Sequence, residues 1–223
     1  MGEETMKNKK GKFIVVDGIR GSGKTTLIKN LKAKLSSESF VFTREPGGSP
    51  LAEKLRTVIL SEEARGADIA VDFLMITAAR IDHVQKLIAP AIKSGANVIC
   101  DRFDSSTYAI QIYERGYPVL KDWFFEARRF YAFNAPDLYI YLNVDLDVAE
   151  KRYKARPDIS HHFHDQPRWF YERMAKGYQD FYERMAKGYQ DSLPCIPCEI
   201  IDANQSADAV EKQCLEIISI LVK

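Results

Sequence analysis

The chain has no excess of charge of either sign. Its 32 basic residues face 31 acidic ones, for a net charge of +1. That balance gives no reason to expect a nucleic-acid partner or a membrane-surface partner. Nor is there an apolar run near the ~20 residues that a membrane span needs. The apolar stretch nearest the start covers only 13–16 before Asp17, too short for the core of a secretion signal. Residues 1–10 are expected to be a frayed or artificial tail. Cysteine is scarce, with Cys100, Cys195, Cys198 and Cys214 the whole set. Without a secretion signal, the expectation is reduced thiols in a cytoplasmic protein. Cys195 and Cys198 have C-x-x-C spacing, and His161, His162 and His164 could complete a zinc site with them. A redox or zinc role needs a helix start or a full ligand set, and Pro194 and Pro197 argue against a helix here. Ordinary buried thiols and a solvated histidine loop are the plainer expectation.

What is present is apolar and patterned. At 223 residues, 46% hydrophobic and 11% aromatic, the chain can build one sizeable core, expected over 11–223. Short apolar runs at 12–17, 40–43, 97–100, 138–142 and 199–201 read as strands. Helical patterns fill the intervals: 24–37, 51–60, 67–94, 105–114, 120–133 and 147–155, then 207–221. Pro90 is the one breaker inside 67–94. Strands alternating with helices predict an α/β fold, a five-stranded parallel sheet between two helical layers. Ligands in such folds gather at the carboxyl ends of the strands.

The most specific motif is "GIRGSGKTT", 18–26. It matches G-x-x-x-x-G-K-[ST] and stands between a predicted strand and a predicted helix, as a phosphate-binding loop must. Gly18, Gly21, Ser22 and Gly23 would turn backbone N–H groups onto nucleotide phosphates, aided by the helix N-terminus. Lys24 would reach the β- and γ-phosphates, with Thr25 as a Mg²⁺ ligand and Thr26 beside it.

Further motifs follow in order: "TREPGGSPLAEKLR" at 43–56, "AAR" at 78–80, "DRFDSSTYAIQ" at 101–111 and "IDANQ" at 201–205. Taken with the phosphate loop, they make the chain resemble the bacterial thymidylate kinases, from about 12 to 221. The resemblance implies a P-loop fold and transfer of the γ-phosphoryl group of ATP to dTMP, with Mg²⁺. It also implies a homodimer packed through helices that flank the sheet. Arg44, Pro46, Ile76, Arg80, Ser106, Thr107, Ile110 and Gln111 would then line the acceptor. Ala203 would lie on the adenine side. Arg102, just past a strand end, would grip the acceptor 5′-phosphate with its planar fork. Asp101 would reach Mg²⁺ through water or orient Arg102. A lid is implied at about 154–168. Arg156 and then Arg152 are the expected stabilisers of transition-state charge.

Three positions differ from the family's usual residues, all on the acceptor side. Arg20 stands where the family has Asp or Glu, and an arginine can neither accept a hydrogen bond nor hold Mg²⁺. Ile76 replaces a phenylalanine that stacks on thymine, and Ile110 replaces an aromatic near the 2′ position. These leave open an altered or broader deoxynucleotide acceptor, or a catalytically impaired homologue. Arg20 is itself a candidate for contact with the acceptor phosphate or the developing charge.

One feature belongs to no motif: residues 170–180, FYERMAKGYQD, recur at once as 181–191. Eleven residues make about three helical turns, so both copies keep one face. The expectation is an apolar stripe of Phe170, Met174, Tyr178, Phe181, Met185 and Tyr189. The expected surface pairs are Glu172 with Lys176 and Glu183 with Lys187. Two copies are too few for a solenoid. An in-frame duplication is expected, either lengthening a helix or looping out, with the docked copy undetermined.

Overall fold

The computed structural model describes residues 10–117, 119–155, 166–187 and 195–223. Its centre is a five-stranded, all-parallel sheet in the order β2-β3-β1-β4-β5. The strands are β1 (Phe13–Asp17), β2 (Phe40–Arg44), β3 (Asn97–Asp101), β4 (Leu138–Asn143) and β5 (Cys198–Asp202). All five residues of β1 are buried, so helices cover both faces of the central strand. From β1 the chain runs outward to β2, returns to β3, and then crosses β1 to β4. The sheet order therefore reverses beside β1, and a crevice opens at its carboxyl end. Asp17 and the phosphate loop sit there.

The helices are α1 (Lys24–Lys34), α2 (Pro50–Ile59), α3 (Ile69–His83), α4 (Ala89–Lys93), α5 (Asp104–Thr107), α6 (Leu120–Arg128), α7 (Leu146–Lys154), α8 (Arg168–Lys187) and α9 (Ala207–Val222). Most boundaries match the sequence pattern within a few residues. The predicted helix at 67–94 is instead α3, a π-helical turn at Val84–Ile88, and α4. Pro90 explains the break. It has no N–H to donate and its ring crowds the preceding turn, so the rod widens there and the Ala89 N–H reaches back to Val84. The predicted helix at 105–114 likewise becomes α5 followed by a π-helical segment, Tyr108–Glu114. The helix expected to reach 133 ends at Arg128, with a short 3₁₀ turn at Ala132–Asn134.

The duplicated segment lengthens one helix, α8, rather than looping out within its described length. Its stripe is buried as expected at Met174, Tyr178, Phe181 and Met185, with Tyr182 added. Gly177 shows why the first copy docks here. A Cβ on it would lie 2.8 Å from the Ala109 Cα, so α8 touches the 108–114 segment backbone to backbone. At the surface Glu172 pairs with Arg168 in place of the expected Lys176, and Asp180 pairs with Arg184; the side chain of Lys187, expected to pair with Glu183, lies outside the described residues. Residues 188–191 of the second copy, Tyr189 included, lie outside the described residues.

Cys198 opens β5 and Cys195 is exposed. Burial, then the charges of Glu199 and Asp17, push the Cys198 thiol up to about 12, opposite to a redox-active thiol. The three lid histidines lie outside the described residues. Among the described residues no group of metal-ligating side chains converges. None of the described helices is long and apolar enough to cross a membrane.

Candidate active site

The phosphate loop closes onto α1 through Gly23, whose φ of 99° starts the helix in a left-handed conformation. Lys24 folds back under the loop and donates to the carbonyls of Gly18 at 2.6 Å and Ile19 at 2.9 Å. The lysine is thus held at the spot where phosphates meet the loop. Thr25 and Thr26 are exposed on the first turn of α1.

Asp17, fully buried at the end of β1, ties the site together. It accepts from the Gly18 N–H at 2.8 Å, Ser105 at 2.6 Å, Ser106 at 3.0 Å, Tyr178 at 2.8 Å and Arg102 at 3.2 Å. Arg102 has a left-handed backbone, φ 69°, which costs a non-glycine residue about 1 kcal/mol or more. The strain turns its side chain back over the loop. Nη1 takes every hydrogen bond that the Arg102 side chain donates to a described residue: Asp17, the Gly18 carbonyl, Ser106 and Tyr178. Among the described residues, Nη2 and Nε have no partner, and the side chain is 28% exposed. One edge of the fork is anchored and the other faces the crevice.

A second wall rises from α3 and the 104–114 segment. Arg80 is buried, donating from Nε to Glu45 at 2.7 Å and from Nη2 to Thr107 at 2.9 Å, with its guanidinium over the Phe103 ring. Burial works against its charge, but Glu45, Tyr131 and Asp104 outweigh this and raise its pKa. Glu45 also meets buried His83, which reaches Thr43 with its other nitrogen. Gln111 donates to Asp72 at 3.0 Å, while its carbonyl oxygen is buried with no partner in the described residues. Ile76 and Ile110 are half-buried beside these groups.

A sequence model of thymidylate kinase matches residues 16–214. The chain belongs to the thymidylate kinase family. A thymidylate kinase from Teredinibacter turnerae is 36% identical over 173 residues, 76% of this chain and 82% of the relative. One from Mesoplasma florum is 34% identical over 209 residues, 92% of this chain and 94% of the relative. A crystal structure of thymidylate kinase from Ehrlichia chaffeensis superposes with a TM-score of 0.66 at 26% identity. It covers 94% of this chain and 99% of its own. Membership makes the chain an ATP-dependent nucleoside monophosphate kinase, and nothing in these matches favours the alternative acceptors.

Two further arginines of the expected site, Arg20 and Arg152, have partners on α7 and after β5. The Arg20 guanidinium lies 4.6 Å from the centre of the Tyr153 ring on α7 and contacts that hydroxyl. Arg152 donates to the carbonyls of Ala203 at 2.6 Å and Gln205 at 3.2 Å. It clamps the turn that follows β5. Arg156 lies outside the described residues, as does most of the predicted lid. Arg44 pairs with Glu53 at the surface, and Pro46 follows a cis peptide bond, its carbonyl held by Arg56.

The sequence reading missed Asp17, Glu45, Asp72, His83 and Tyr178. Asp17 carried a usable signal, since it ends the strand that feeds the phosphate loop. Glu45 lay inside the 43–56 motif; Asp72, His83 and Tyr178 had no such signal, because their partners are far away in the chain.

Proposed function

We propose that this chain transfers the γ-phosphoryl group of ATP to the 5′-phosphate of dTMP, giving ADP and dTDP. The observation that carries this reading is the open edge of Arg102, beside the loop that holds Lys24. Two anions can meet there with a cation on each. Phosphoryl transfer needs little covalent help, so positioning and charge neutralisation do most of the work. Lys24 would exchange its loop carbonyls for donor phosphate oxygens. Arg102 would grip the acceptor phosphate through Nε and Nη2.

The residues also suit Mg²⁺. Asp101, at the end of β3, has a buried carboxylate oxygen without a described partner, and Thr25, on the first turn of α1, exposes its side chain. Those two residues would hold the ion, which would supply charge neutralisation for the phosphates. At the base end, Arg80, Thr107 and Gln111 form the polar edge, with Ile76 and Ile110 as apolar walls. The carbonyl oxygen of Gln111 calls for a donor, and the N3–H of thymine supplies one.

The same reading includes a homodimer and a cytoplasmic location. Exposed Leu51, Val58, Leu60, Val71 and Leu74, on and beside the packed α2–α3 pair, support the dimer. Free thiols support the location.

The test is ADP release from ATP and Mg²⁺ with dTMP, dUMP, dCMP or thymidine as acceptor. Fastest turnover is expected with dTMP. No turnover with any monophosphate would overturn the reading.

A further inference from the structure

The duplication gives the chain two Gly-Tyr pairs, at 177–178 and 188–189. We infer that Tyr178 is a positioning residue that sets the Arg102 guanidinium for the acceptor phosphate, and that the first copy alone supplies it. This rests on the reading of Arg102 as the acceptor-phosphate grip.

The geometry is specific. Tyr178 is fully buried, and its hydroxyl sits between the two groups that define the crevice. It donates to the Asp17 Oδ1 at 2.8 Å, accepts from the Arg102 Nη1 at 3.0 Å, and meets the Ser106 Oγ at 2.8 Å. A phenol has one proton to give and two lone pairs to receive with, so these contacts use most of its capacity. Burial and then the Asp17 charge raise its pKa well above the ordinary value, so it stays a neutral phenol in ordinary working conditions. Neutrality fits the bond it donates to Asp17 and the bond it accepts from Arg102.

The position of the hydroxyl depends on the residue before it. Gly177 lets α8 approach the 108–114 backbone, where any Cβ would collide with Ala109 and Tyr113. Only that close approach brings the next side chain under Arg102. The Tyr141 ring, 5.2 Å away centre to centre, and the Tyr182 ring, stacked at 6.3 Å, hold the phenol on its sides. Tyr178 is fully buried beneath Arg102. It acts by fixing Nη1, which leaves Nε and Nη2 aimed outward as a pair. Without the hydroxyl, Arg102 keeps its charge but loses one of the points that orient its plane.

The experiment compares the full-length enzyme with Tyr178→Phe, Tyr189→Phe and Arg102→Lys. KM for dTMP, KM for ATP, kcat and melting temperature are measured for each. Tyr178→Phe keeps the packed ring, so it is expected to fold. It should raise KM for dTMP by about tenfold, the worth of one hydrogen bond to a charged group, with KM for ATP unchanged. Tyr189→Phe should leave both constants unchanged. A merely structural tyrosine would lower the melting temperature and the active fraction without separating the two substrates. An unchanged KM for dTMP in Tyr178→Phe, an equal rise for both substrates, or the same effect from Tyr189→Phe would overturn the inference. Arg102→Lys separates the two layers. If it leaves KM for dTMP unchanged, the acceptor-phosphate reading itself fails. If it raises that constant and Tyr178→Phe does not, only the role of the tyrosine fails.

Discussion

Gln111 and Asp72 show how a single contact can carry specificity. A carboxylate can only accept, so the Gln111 amide must turn its NH₂ to Asp72 and its carbonyl oxygen the other way. That oxygen is buried and unpaired in the described residues, and leaving it so in a complex would be costly. Thymine can donate to it from N3–H, whereas cytosine presents a lone pair at that position. Asp72→Asn removes the constraint, because an amide side chain can either donate or accept. The expected result is a loss of about tenfold in the preference for dTMP over dCMP, read as the ratio of kcat/KM values. At this scale the sequence showed Lys24, Arg80, Arg102 and Gln111 through their motifs. It did not show Asp72, Glu45 or Tyr178. The Tyr178–Asp17 bond spans 161 positions, and no spacing rule reaches that far.

At the scale of elements, α8 sets the most stringent requirement. Its docking depends on a glycine facing a backbone, so Gly177→Ala would raise helix propensity and still destabilise. The new methyl would meet the Ala109 Cα at 2.8 Å, and overpacking of that kind costs about 1–3 kcal/mol. Urea denaturation should show the midpoint falling. A second element-level prediction concerns acid. Asp180 on α8 accepts from the Tyr108 hydroxyl at 2.6 Å and from Arg184 at 2.7 Å. Burial alone would raise its pKa, but Arg184 and Tyr108 outweigh that and hold it below the ordinary 3.8. A carboxyl depressed on folding contributes stability above its ordinary pKa and loses it as the pH falls through the depressed value. The wild type should therefore be more stable than Asp180→Asn at pH 7. That margin should shrink steadily below about pH 4 in denaturation curves. The second copy of the duplication is not idle packing, since Phe181 and Met185 both lie against the buried Arg128.

The whole molecule adds a prediction about assembly. Monomers rarely leave a contiguous apolar face in water, and α2 and α3 expose Leu51, Val58, Val71 and Leu74 at 47–51%. Sedimentation should show a two-chain species, and Leu74→Glu should convert it to single chains by placing a charge in the contact. Persistence of the two-chain form in that variant would move the interface elsewhere.

By itself, the sequence determined the order of elements, the parallel sheet, the phosphate loop and the family. Those follow from local information: apolar period, turn residues and short motifs whose parts are neighbours in the chain. It also determined that the duplicated eleven residues keep one helical face, because eleven is close to three turns. Only the tertiary structure decided that the first copy's glycine faces Ala109, where Arg20 and Arg152 point, and what orients Arg102 and Gln111. Those outcomes depend on the distance between segments far apart in the chain, such as the backbone approach of Gly177 to Ala109. Two identical copies carry identical local information, so the choice between them could come only from what each one meets in space.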